Sequence, residues 1–149
     1  MSDDPAPGAP SGVRFASFPG YLPTGSGPQL DSAGHTIFTA FLTTPDVLND
    51  SGIWSDASGS LNQFAKSGAH PPDLPDGIRF WNVIDYVFTS YILTSDGHTG
   101  IFSSITGAGV TSATNYGLWL GGSNSLGLIM REGDHAPGTP AGVRFNQEG

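Results

Sequence analysis

The phrase Pro7-Gly8-Ala9-Pro10-Ser11-Gly12-Val13-Arg14-Phe15 returns twice along the chain, each time 65 residues on. It reads Pro72-Asp73-Leu74-Pro75-Asp76-Gly77-Ile78-Arg79-Phe80 and then Pro137-Gly138-Thr139-Pro140-Ala141-Gly142-Val143-Arg144-Phe145. Two prolines, a glycine, an arginine and a phenylalanine are identical in all three copies. Self-similarity at a period of tens of residues marks a repeat architecture, in which one unit cannot bury its own apolar face and neighbours must stack to make a core. The units run over 1–66 and 67–131, followed by a partial copy over 132–149. The repeat therefore constrains architecture and assembly far more than chemistry.

Between the phrases the two long units align. Gly34-His35-Thr36-Ile37-Phe38 answers Gly97-His98-Thr99-Gly100-Ile101-Phe102, with one extra residue in the second copy. Gly52-Ile53-Trp54 answers Gly117-Leu118-Trp119, and Leu61 answers Leu126. Period-two alternation is clearest over Thr36 to Leu42, where both faces carry apolar residues, as in a strand covered on two sides. The turn residues Asp31-Ser32-Ala33-Gly34 and Ser95-Asp96-Gly97 precede such strands. Further strands are expected at Pro28 to Leu30 and Tyr91 to Leu93, at Gly52 to Ser58 and Gly117 to Leu120, and at Leu61 to Lys66 and Leu126 to Arg131. No segment has a helical period. The expectation is an all-β chain of two four-stranded antiparallel propeller-like blades plus an overhanging partial third repeat. The 65-residue unit exceeds the roughly 40–50 residues of an ordinary blade, and the surplus lies in the proline-rich connector.

These residues resemble bacterial tandem-repeat proteins whose units carry an NxxGxxAF signature and a REGDPAPGTPxGVxF-like connector. Asp31 to Phe38 looks like the first element, with Asp31 in place of Asn and Ile37 in place of Ala. Arg131 to Phe145 looks like the second almost letter for letter. The resemblance implies β-propeller-like repeats and an extracellular or cell-surface location. The residues after Met1 depart from it, being acidic and proline-rich rather than a signal peptide.

Charge excludes several function classes. The formal net charge is −8, and the basic residues are Lys66, Arg14, Arg79, Arg131 and Arg144 alone. A binder of nucleic-acid phosphates needs a basic face, so nucleic acid is excluded as a partner, and anionic membrane surfaces with it. The apolar stretch around Tyr86 to Leu93 is too short to insert across a bilayer. Cysteine is absent, which removes both a disulfide framework and a thiolate metal site. Aromatic residues make up 11% of the chain, enough for a core, so its 22 glycines and 12 prolines read as turns rather than as disorder.

No catalytic constellation is expected, and neither a metal nor another cofactor is called for. His35 and His98 follow turn glycines, and His70 and His135 sit in connectors; none is at metal-ligand spacing. Asp46, Asn49, Asp50 and Gly52 could supply part of a calcium loop, but the second unit offers Thr111, Thr114 and Asn115 there, which favours a turn. No nucleophile elbow is present. Arg14, Arg79 and Arg144 are expected to pack their stems on a neighbour and give their guanidinium groups to carbonyls or a carboxylate. Trp54 and Trp119 read as core. Trp81, whose counterparts are Ala16 and Asn146, reads as an exposed contact. The expected function is a non-enzymatic structural or interaction protein that self-assembles head to tail as a homo-oligomer, a ring or a filament. Its assembly interface would comprise Trp81, Arg14, Phe15, Val143, Arg144 and Phe145. The alternative is a propeller-type lectin that binds glycans.

Overall fold

The computed structural model describes residues 4–19, 27–44, 50–84, 90–122 and 125–146. Ten strands and no helix occur among them. In the first unit these are β1 (Phe15–Ser17), β2 (Gln29–Leu30), β3 (Thr36–Leu42), β4 (Ser51–Ser55) and β5 (Asn62–Lys66). The second holds β6 (Arg79–Phe80), β7 (Ser90–Leu93), β8 (Thr99–Thr106), β9 (Tyr116–Gly122) and β10 (Ser125–Arg131). They form two antiparallel five-stranded sheets. Four strands per sheet are therefore corrected to five. The additional strand is the connector's own end, Phe15–Ser17 in the first unit and Arg79–Phe80 in the second. Phe15 pairs with Leu42 and Phe80 with Ile105, so the outer strand of each sheet is built in two pieces, β1 with β2 and β6 with β7.

The frame is the same in both sheets. Each carries a register shift in its last strand pair, at Trp54 in the first and between Leu128 and Met130, opposite Trp119 and Leu118, in the second. The indole Nε1 of Trp54 donates to the carbonyl of Pro7 at 2.9 Å, and that of Trp119 to Pro72 at 3.3 Å. Phe15 meets Trp54 edge-on at 4.9 Å, as Phe80 meets Trp119 at 5.0 Å. Both tryptophans are wholly buried. Gly52 and Gly117 make room for them: a Cβ on either would lie 2.7 or 2.5 Å from the indole Cη2 two residues on. Each connector thus folds back as a cover over the tryptophan face of its own sheet, which is more than a link between units.

One sequence alignment is overturned. Phe38 pairs with Trp54 across the sheet, whereas Ile101, not Phe102, pairs with Trp119. The third strand of each sheet is therefore related by 63 residues, with no insertion after the turn, while connectors and tryptophans keep 65. Counted between paired residues, two fewer before the third strand and two more after it cancel in the total. A one-residue slip reverses a strand's faces. Phe38 accordingly stacks on Trp54, and Phe102 stacks on Tyr116 on the opposite side of its sheet.

The sheets pack face to face. Ile37, Ile53 and Ala65 of the first sheet share a core with Ile78, Phe80, Val83, Tyr91, Ile101, Ile105 and Trp119 of the second unit. The opposite face of the first sheet, with Trp54, Ala40 and Leu42, is covered by Ala6 and Phe15 of its connector. Polar ties reinforce the stack. The Gln29 amide donates to the Tyr91 carbonyl at 2.7 Å and accepts from Leu93 N at 3.0 Å. Ser67 Oγ bonds Ser51 Oγ at 2.6 Å and accepts the Val83 N–H at 3.1 Å.

Candidate functional site

The third connector keeps the fold of the first without a sheet to cover. Ala6 N donates to Val13 O, Val13 N to Pro10 O and Phe15 N to Asp4 O. The same three bonds recur 130 residues on, from Ala136 to Val143, Val143 to Pro140 and Phe145 to Asp134. The backbone repeats as well. Gly8, Asp73 and Gly138 take φ of 78, 63 and 78°, and Gly12, Gly77 and Gly142 lie at 87, 89 and 96°. Asp73 tolerates this left-handed position as few other residues do, and its carboxylate accepts the Leu128 N–H at 3.0 Å. Local hydrogen bonds and special φ values therefore suffice for the connector. What the third copy lacks is burial: Val143 is 44% exposed, and Phe145 is half-buried where Phe15 is buried.

Phe145 instead lines a mostly apolar groove of about 200 Å³ on the outer face of the second sheet, with Phe102, Tyr116, Met130, Glu132 and Asn146. Registered on the first sheet, Tyr116 stands where Ser51 stands, Met130 where Ala65, Glu132 where Ser67 and Phe145 where Phe80. The groove is thus the second unit's copy of the seat that Val83 fills between the sheets. Val83's counterpart in the third copy, Glu148, lies outside the described residues. Its counterpart in the first copy is Phe18, which is 54% exposed and packs edge-on against Phe38 at 5.7 Å.

The remaining candidates fall as follows. Phe15 is buried in its own unit, and Arg14 pairs its backbone with Thr43. The guanidinium of Arg79 donates to the Ile78 carbonyl at 2.7 Å, and that of Arg144 to the Gly133 carbonyl, each within its own connector. Trp81 is 49% exposed and lines a second, larger groove with Ser104, Thr111, Ser112, Asn115 and Tyr116. Each histidine serves its own turn: His35 Nδ1 lies 2.8 Å from Asp31, His98 Nδ1 3.1 Å from Asp96, His70 Nδ1 3.1 Å from the Ile78 carbonyl, and His135 Nε2 3.3 Å from the Pro140 carbonyl. The hydrogen bond from His35 holds the Asp31 carboxyl below its ordinary range. Bonds from Thr94 and then His98 bring Asp96 down to about 2. Asp46 and Asn49 lie outside the described residues, and Asp50 gives its carbonyl to Leu42 N. Among the described residues no three His, Cys, Asp or Glu gather around a possible metal position, and no helix is long and apolar enough to cross a membrane.

A pair of stacked antiparallel sheets with repeat-matched connectors and an open end groove defines a tandem-repeat all-β protein. The chain belongs to a family of unknown function, DUF7453, whose model matches residues 2–148. No curated protein and no solved structure matches the chain.

Proposed function

We propose that this is a non-enzymatic structural or interaction protein that assembles head to tail with copies of itself, its two sheets serving as propeller-like blades. One observation carries the reading: the groove on the second sheet is the counterpart of the seat that Val83 fills between the sheets. In a second copy the residue at Val83's position is the exposed Phe18. The contact is heterologous, so it gives a ring of about two to four chains if the rotation closes and a filament if it does not. The third connector rims the groove, so Val143 and Phe145 fall in the contact. Swapping it onto another copy's Trp54 face is disfavoured, because the first connector already holds that face through Phe15 and the Pro7 carbonyl. An extracellular or cell-surface setting rests on the resemblance of the connectors to those of exported repeat proteins.

Light scattering over a concentration series tests the assembly. A particle that stays at the 15.4 kDa of one chain at every concentration would sink it. Phe18→Glu and Met130→Glu each disable one end and are expected to leave single chains when alone. Mixed, they retain one good head and one good tail and form a 1:1 pair. An isologous contact would not be rescued by mixing.

A further inference from the structure

The two units depart from each other at the second groove, of about 410 Å³. Trp81 stands where the first unit has Ala16, and Ser104 where it has Phe41. Counted between the paired residues Phe41 and Ser51 and Ser104 and Tyr116, the connection is two residues longer in the second unit, and it brings Thr111, Ser112 and Asn115 to the rim. The frame that holds the sheets together is kept while an aromatic, a buried hydroxyl and a polar loop are added at one place. Stability does not call for this. Ser104 Oγ has no hydrogen-bond partner among the described residues, and neither has the buried Ser103 Oγ beside it. A buried hydroxyl left unmatched costs about 1–3 kcal/mol.

We propose that this groove binds a neutral saccharide. The chemistry selects that class. A half-exposed indole offers an apolar platform for the C–H face of a pyranose ring, while hydroxyl and amide groups beside it match the ring's own hydroxyls. Among the described residues no Lys or Arg lines the groove to attract an anion, and no Asp or Glu lines it to hold a cation. Thr111 and Thr114 already bond each other across the loop at 3.2 Å, which shapes the rim before any ligand arrives. The inference does not rest on assembly, since the two grooves share only Tyr116 in their linings.

Trp54 and Trp119 are fully buried and Trp81 is not, so acrylamide quenching of tryptophan fluorescence reports on Trp81. Cellohexaose, maltohexaose and chitohexaose, each added at millimolar concentration to the full chain, are the probes. At least one is expected to shield Trp81 from acrylamide and to give a saturable heat in calorimetry. Trp81→Ala abolishes that heat. The proposal is overturned if none of the three protects Trp81, or if Trp81→Ala binds as tightly as the parent. Light scattering on the same samples reads assembly separately, so either idea can fail without the other.

Discussion

The first and third connectors are the same backbone in two situations. Both close through the same three hydrogen bonds, yet one lies on a tryptophan face and the other is largely exposed, with Phe145 half-buried at the groove. The comparison separates conformation from burial. Glycine or aspartate at the left-handed positions, with proline carbonyls placed to accept, sets the shape; the indole beneath supplies the apolar contact and one N–H donor. A connector is therefore a preformed cover, ready for a sheet it need not already touch.

Removing the surface beneath a cover should have the largest effect. Trp119→Ala is expected to cost about 3–5 kcal/mol, through lost transfer energy and a cavity that a two-sided core cannot close. Trp54→Ala should fall at the lower end of that range, because its face is covered by a connector alone. Urea denaturation of both variants tests this, and equal costs would break the distinction between a one-sided and a two-sided core.

The next contrast lies between the covers themselves. Phe15→Ala should lose about 3 kcal/mol, while Phe145→Ala should lose about half as much in a single chain, because Phe145 is only half-buried there. If Phe145→Ala proved as costly as Phe15→Ala in dilute solution, the third connector would be as well covered as the first. Its effect should instead appear in the concentration dependence of the particle mass.

Gly52→Ala and Gly117→Ala probe how closely the two tryptophan seats match. Each adds a Cβ inside the van der Waals radius of an indole, for an expected loss of about 1–3 kcal/mol. A larger loss at Gly117 would follow from its closer approach and from the sheet packed against Trp119; melting temperatures of the two variants decide it.

The smallest effect concerns the turns that precede the third strands. Asp31 and Asp96 both have lowered folded-state pKa values, so each stabilises the fold above the ordinary carboxylate value of 3.8, and that contribution fades as acid protonates the folded form. For Asp96 the loss should run from pH 3.8 down to about 2. Asp96→Asn should therefore melt below the parent at neutral pH and converge with it toward pH 2. A difference that did not change with pH would show that the carboxylate's charge plays no part. The Asp31→Asn pair should behave in the same sense.

Much of this protein was legible in its residues. Alternation over Thr36 to Leu42, turn glycines before each third strand and the recurrence of Trp54 at Trp119 were enough for an all-β chain of two like sheets with tryptophan cores. Glycine at 12, 77 and 142 marked a turn that all three copies make. The candidate site was half legible: Trp81 stood out because its counterparts are Ala16 and Asn146, whereas Ser104 and Phe18 carried no signal. Their meaning depends on register, and register is a property of paired strands. Matching the letters Ile-Phe aligned Phe38 with Phe102, but cross-strand pairing to the tryptophan aligns Phe38 with Ile101. Loops two residues shorter and then two longer hide that shift from any reading that counts along the chain. Local chemistry, carried by φ preferences, alternation and turn hydrogen bonds, was determined by sequence alone. Which face of each sheet is buried, and which groove is left open at the end of the stack, was decided only when the two sheets met, because burial belongs to the pair of surfaces and not to either strand.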